Sequence, residues 1–328
     1  MRRFGSVAAF LALATSATIA SDAFAQSSQT WVAGFGSDTA DCSRAAPCAT
    51  FVGAYAKTNA GGEIRCLNGG EFGGLQISKS LTVDCTGVEG GAMSSSADQL
   101  DFWVTAGPTD VVVLRGLDFE GSAPGVQSAD GVKLFGAGTV VIQHCLIRGF
   151  VFGGSDGNGV MINNHGAMKV FLDDLVIEDN VDAGVWVQPQ PGDFGQPGGS
   201  LQLTMNRLVI RHNTFGILLA SPATVGKIAG TLRDSIVTSN SQDGVAATEA
   251  SGAIDVLAID RDSIVGNGNR GLVATGASAG FLVSGSTIAG NASGVESLNS
   301  GVIASYGDNR VNGNFRADGV FTLTIAKR

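Results

Sequence analysis

Ionisable side chains recur at fixed places in a repeating segment of this 328-residue chain. With Leu117, Cys145, Leu175, Leu208 and Ser235 taken as equivalent, the preceding column reads Gly116, His144, Asp174, Arg207, Asp234 and Asp262. Three residues beyond the same reference stand Glu120, Arg148, Glu178, Arg211 and Thr238, alternating in sign. Stacked strands would turn this second column outward, so one face gathers His144, Arg148, Asp174, Glu178, Arg207 and Arg211. Such groups suit acid–base work on an acidic sugar polymer. Arginine holds a uronate carboxylate through two hydrogen bonds. A carboxylate or imidazole takes the C5 proton in an elimination, or two carboxylates protonate a leaving oxygen and activate water. The catalytic candidates are His144, Asp174, Glu178, Arg207 and Arg211, with Lys133, Arg148 and Trp186 as substrate-binding candidates. The same columns also read as an exposed ion-pair ladder that avoids stacking like charges.

Other constellations are weaker. Asp173, Asp174 and Glu178 could offer oxygens to calcium, although strand alternation splays Asp173 from Asp174. His144, His165 and His212 are too dispersed for zinc, and no metal ligand set is assigned. There is no Gly-x-Ser-x-Gly elbow. Cys145 takes an inward position and reads as a core thiol. A further column, Lys133, Met161, Trp186, Leu218, Ala246 and Val273, should point outward. This apolar stripe either lies under the loop Gln188–Gly199, which carries Phe194, or is a sugar-stacking platform. Together with Gly149–Gly157, which carries Phe150 and Phe152, that loop could wall a cleft.

The elements that would position these groups follow from the repeat. Leu175–Val187 recurs at Leu208–Leu219 and Ser235–Ala247, each with Asn (180, 213, 240) followed by Gly (184, 216, 244). The glycines fall at 131, 159, 184, 216, 244, 271, 294 and 319, about every 27 residues. They read as turn residues. Asn291 and Asn314 continue the asparagine series, with Asn267 shifted by one, and such turns stack into an amide ladder. Short alternating apolar runs between Asn/Gly turns exclude an α-solenoid and fit coils of three short parallel strands. The composition agrees: 48 glycines, 44% hydrophobic residues and only 15% charged ones exclude disorder, and 7 prolines exclude collagen.

The first 25 residues carry Arg2 and Arg3, an apolar Val7–Ala14 run and the small-x-small site Ala23-Phe24-Ala25, the plan of a signal peptide. A secreted or periplasmic protein is expected, with no membrane insertion. Loss of Arg2, Arg3 and Asp22 takes the net charge from −9 to −10. That balance disfavours nucleic acid. An oxidising compartment makes the cysteines legible: Cys42 and Cys48 flank a short turn. Cys66 and Cys85 lie on adjacent strands with Ile64 against Val83, within disulfide reach. Residues 26–60 form an N-terminal cap, in which a short helix within residues 47–60 seals the first rung through Phe51, Val52, Tyr55 and Ala56. Residues 61–328 leave room for about ten rungs, a rod of roughly 45–50 Å closed by Val320–Ile325, Lys327 and Arg328.

The repeat over residues 61–328 resembles the right-handed parallel β-helix, or pectin-lyase-like, superfamily. The opening Cys42-Ser-Arg-Ala-Ala-Pro-Cys48-Ala-Thr-Phe51 through Gly61-Gly-Glu-Ile64 resembles exported bacterial β-helix proteins of undefined activity. The resemblance implies an all-β, single-domain right-handed parallel β-helix with a short N-terminal capping helix. It also implies polysaccharide or a cell-surface glycan as partner, with calcium possible. Of the polygalacturonase motifs only the dipeptide Asp173-Asp174 occurs, and the Asp-Pro-His signature of alginate epimerases is missing. Three readings follow: a monomeric polysaccharide-recognising protein, a polysaccharide lyase or hydrolase, or a structural or adhesive surface protein.

Overall fold

The computed structural model describes residues 26–88, 90–93, 102–121, 129–152, 156–190, 198–221, 226–249 and 255–326. The expected signal peptide (residues 1–25), Phe194, Lys327 and Arg328 lie outside them. The strands, mostly three to seven residues long, form three parallel sheets: sheet A of 12 strands, and sheets B and C of 10 each. One rung runs through Val111–Arg115 in A, Leu117–Glu120 in B and Val132–Gly136 in C, then returns to A at Thr139–Gln143. The coil is right-handed, as parallel crossovers are. It makes about ten turns, a rod of roughly 48 Å.

Alternation along each strand sends every second residue inward, where equivalent positions stack. Sheet A contributes Leu114, Ile142, Leu172, Met205, Leu232, Ile259 and Val283, all fully buried. Sheet B contributes Phe119, Ile147, Ile177, Ile210, Val237, Ile264 and Ile288, and sheet C Val132, Val160, Val185, Ile217, Val245 and Leu272. Each such side chain stabilises the fold by about 1.5–3 kcal/mol through loss of contact with water.

The asparagines form one continuous ladder. Asn180 donates its backbone N–H and Nδ2 to Asn213 Oδ1, and the pattern repeats through Asn240, Asn267, Asn291 and Asn314. Asn267 is therefore in register, not shifted. Phe150 N–H enters the ladder at Asn180 Oδ1, and Asp318 Oδ1 ends it by accepting from Asn314 N–H and Nδ2. The repeat glycines differ from expectation in their reason. Those at 159, 184, 216, 244 and 271 have ordinary backbone angles, but a Cβ on any of them would strike the carbonyl of the next glycine in the column. Close rung-to-rung approach, not turn geometry, requires glycine there. The eighth position is Asp318 rather than Gly319, because Val295 pairs with Gly319.

The N-terminal end is sealed. Strand Ser27–Val32, within the segment read as cap, pairs parallel with Thr58–Cys66 and extends sheet A. Its outer edge is covered by the Cys42–Cys48 loop: Trp31 N–H donates to Cys42 O, and Trp31 O accepts from Cys48 N–H. The helix is Phe51–Lys57, inside the expected stretch; Thr50 caps it through Gly53 N–H and Thr58 is already extended. Its buried face is different. Phe51, Ala54 and Lys57 face in, whereas Val52 and Ala56 are exposed, since a three-to-four-residue stripe starting at Phe51 passes them by. Phe51 packs edge-on against Phe72 and Phe102. Lys57 Nζ donates to Asp38 O and Ala40 O. Both expected disulfides are formed, Cys42–Cys48 and Cys66–Cys85, with Cα separations of 4.7 and 4.8 Å. Cys145 is free, and burial pushes its thiol up to about 12.

Candidate functional site

Two corners of the coil flank sheet B, and the candidate residues divide between them. At the A-to-B corner Gly116, His144, Asp174, Arg207, Asp234, Arg261 and Gly285 all hold left-handed backbone, φ between 51° and 66°. The sequence placed Asp262 in this column. The structure puts Arg261 there, with Asp262 in the buried reference column, because Ser263 pairs with Ile236. Left-handed backbone is unfavourable for residues with a Cβ, so the rungs that place His144, Asp174, Arg207, Asp234 and Arg261 there carry strain at this corner, whereas Gly116 and Gly285 do not.

Cations and carboxylates pair from rung to rung. His144 Nδ1 lies 2.8 Å from Asp174 Oδ2. Arg207 donates to Asp173 at 2.6 Å, and Arg261 makes a two-pronged contact with Asp234 at 2.8 and 2.9 Å. On the outward column of sheet B, Arg148 bridges Asp118 and Glu120 at 3.1 and 3.0 Å, and Arg211 binds Glu178 at 2.6 Å. Between the two charged columns runs an apolar stripe, Leu146, Val176, Val209 and Ile236. The stripe parts His144, Asp174 and Arg207 from Arg148, Glu178 and Arg211. A shallow concavity beside His144 is lined by Thr86, Gly87, Val88 and Gly116 and does not reach Arg207 or Arg211. The calcium expectation does not fit this geometry. Asp173, Asp174 and Glu178 each face a different basic side chain, Arg207, His144 and Arg211, and among the described residues no three potential ligands converge.

The remaining candidates sit on sheet C. The column runs Gln76, Trp103, Lys133, Met161, Trp186, Leu218, Ala246 and Val273. Met161, Ala246 and Val273 are 3% exposed and Trp186 is only partly so, with its indole Nε1 enclosed. The stripe is mostly covered. Lys133 Nζ lies 3.2 Å from Asp130 and 3.3 Å from Asp156. Burial pushes the Asp130 carboxyl up, against the pull of Lys133. Of the two loops expected to wall a cleft, residues 153–155 and 191–197 lie outside the described residues; the first leaves sheet B for sheet C and the second leaves sheet C for sheet A, and Phe150 is fully buried at the head of the asparagine ladder.

A different group of residues forms a concave surface, where sheet C turns into sheet A. Three rings stack over successive rungs: Trp103 against Phe135 at 5.2 Å, and Phe135 against His165 at 6.3 Å with planes 21° apart. Trp103 and His165 are exposed. Their neighbours Phe135, His165, Ala167 and Met168 line a hollow of about 470 Å³. It shares Pro108, Ala167, Met168 and Ser200 with an adjoining hollow of about 580 Å³, lined further by Thr139, Lys169, Gln202 and Lys227. Lys169 and Lys227 are exposed and form no ion pair among the described residues. The sequence did carry a signal for this groove. The column starting at Lys133 extends one rung back to Trp103, and alternation from Val140 and Val170 turns Thr139 and Lys169 outward.

Residues 104–258 match the family described as the right handed beta helix region. No curated protein matches by sequence. Among solved structures, pectate lyase Pel9A superposes with a TM-score of 0.51 at 16% identity, covering 88% of this chain and 80% of that one. The A-module of the mannuronan C-5 epimerase AlgE4 from Azotobacter vinelandii gives 0.46 at 14% identity, covering 81% and 91%. At such identities the likeness is one of fold. With its parallel coil and its matched central region, this chain has the fold of a right-handed parallel β-helix.

Proposed function

We propose that this protein is exported and recognises an acidic polysaccharide in the groove at the C-to-A corner, holding the polymer without cutting it. The observation that carries the reading is the row of rings Trp103, Phe135 and His165 beside a hollow that bears Lys169 and Lys227, two exposed lysines with no ion pair among the described residues. Rings offer flat apolar faces to sugar rings, and free ammonium groups meet carboxylates without first breaking another ion pair. The two disulfides suit an oxidising compartment. No helix among the described residues is long and apolar enough to cross a membrane.

Cleavage at His144, Asp174, Glu178, Arg207 and Arg211 is the second reading, favoured by one contact. His144 donating Nδ1–H to Asp174 leaves its Nε2 as a proton acceptor. Against it, the two arginines are already neutralised by Asp173 and Glu178.

The test is a panel of uronate-containing and neutral polysaccharides, read for binding by calorimetry and for unsaturated uronate and reducing ends. Trp103→Ala and the double variant Lys169→Glu, Lys227→Glu should each weaken binding about tenfold or more, one lost contact energy of about 1.4 kcal/mol, with unchanged melting. Unsaturated product that disappears in His144→Ala would replace this reading with a lyase. Binding to nothing in the panel would leave a structural or adhesive role.

A further inference from the structure

The two ends of the rod are built differently. At the N-terminal end the outer strand is covered by the Cys42–Cys48 loop and the core is plugged by Phe51. At the other end, strands Arg310–Val311 in sheet B, Ala317–Gly319 in sheet C and Leu323–Thr324 in sheet A each pair on one side only. Phe315 and Val320, 84% and 82% exposed, are the most exposed large apolar side chains among the described residues, and Leu323 is 43% exposed beside them. An open parallel edge with apolar side chains is a template for further pairing.

We propose that this open end is the interface to a second copy of the chain, joined tail to tail across a two-fold axis through Ala317. The Cys42–Cys48 loop covers the first strand of sheet A and the helix Phe51–Lys57 packs over the core at this end, which obstructs head-to-tail stacking of copies. A two-fold axis perpendicular to the rod reverses the direction in which the coil circulates and makes the facing edge strands antiparallel. With the axis at Ala317, Arg316 of each copy stands opposite Asp318 of the other. The strand is thus charge-complementary to itself in that register alone. Arg316 forms no ion pair within its own chain among the described residues, and Asp318 uses Oδ1 for Asn314, leaving Oδ2 for the partner. The same axis lays the Leu323–Thr324 edge of one copy on the Arg310–Val311 edge of the other, so all three sheets continue across the junction. Phe315 and Val320, on either side of the central strand, lose contact with water. This dimer replaces the monomer expected from sequence and does not depend on the polysaccharide reading.

Sedimentation velocity on the purified protein should show a dimer, and Val320→Asp and Phe315→Ser should each convert it to a monomer that keeps the wild-type circular dichroism spectrum. Ala317→Cys supplies the register test. Antiparallel partners lie about 4.5–5.5 Å apart between Cα atoms, inside disulfide range. The variant should therefore form a covalent dimer in air, whereas Thr238→Cys, on the side of the rod, should not. A wild-type protein that stays monomeric at every concentration overturns the proposal. So does a dimer that survives Val320→Asp with no Ala317→Cys cross-link, which would assign the contact to another surface and leave this end to a different partner.

Discussion

Asp262 ties the stability of the coil to pH through one side chain. It lies 2% exposed in the column otherwise filled by Leu117, Cys145, Leu175, Leu208 and Ser235. Its Oδ1 accepts from Ser235 N–H at 2.8 Å, while its Oδ2 is enclosed without a hydrogen bond. Burial, with Asp234 and Asp260 adding to it, pushes the carboxyl up to about 7. The folded state therefore prefers the protonated form and the unfolded chain releases the proton near its ordinary value of 3.8. Stability from this group is full below that value and is lost as pH rises to about 7, by on the order of 2–4 kcal/mol. Asp262→Asn should melt higher than the wild type at pH 8 and similarly at pH 4, as followed by circular dichroism. The exposed pairs behave otherwise. Arg211, half-exposed against Glu178, should cost no more than about 1 kcal/mol on Arg211→Ala in denaturant unfolding.

The elements owe their register to the asparagine ladder and the glycine column more than to the ion pairs. Asn240→Ala removes the acceptor of Asn213 N–H and Nδ2 and the donor to Ile210 O, all in the buried turn. Orphaned groups of this kind cost about 1–3 kcal/mol each, so the variant should lose at least about 2 kcal/mol in urea unfolding. Two glycines separate the reasons for glycine. Gly216→Ala drives a Cβ into the Gly244 carbonyl, a backbone atom that cannot swing aside. Gly290→Ala has room but places a Cβ at φ 64°, a penalty of about 1–2 kcal/mol. Gly216→Ala should be the more destabilising of the two, and equal costs would mean that turn strain, not rung spacing, fixes both columns. The helix Phe51–Lys57 illustrates another limit of pattern reading. Seven residues give barely two turns, so moving its start by one residue exchanges Val52 for Ala54 on the buried face.

The whole molecule behaves as a stack in which each rung leans only on its neighbours, so stability is a matter of ends as well as core. Hydrogen exchange should be slowest in the central rungs around Val170, Leu203 and Ile210 and fastest in Arg310–Thr324, where one side of every strand is open. In a tail-to-tail dimer those last strands gain protection that Val320→Asp removes. The outer surface divides by function in the same way. One side carries self-neutralised ion-pair columns beside an apolar stripe; the C-to-A corner carries stacked rings and exposed lysines.

The sequence by itself determined the coil. A period near 27 residues, β-branched residues at alternate positions and Asn/Gly turns admit few packings other than three parallel strands per rung. It also determined both disulfides, since Cys42 and Cys48 close a short turn and Cys66 and Cys85 share a column with Ile64 and Val83. It found the outward Glu120–Arg148–Glu178–Arg211 column, because the pairing register follows from aligning the repeats. Only the tertiary structure decided what those charges do. Whether Arg207 meets Asp174 or Asp173 depends on corner geometry, and a left-handed residue turns its side chain away from the neighbour that linear spacing suggests. The groove needed it most. Trp103, Phe135 and His165 come from different repeats at unequal offsets, and they become one surface only because stacked rungs bring residues some 30 positions apart within a few ångströms of each other.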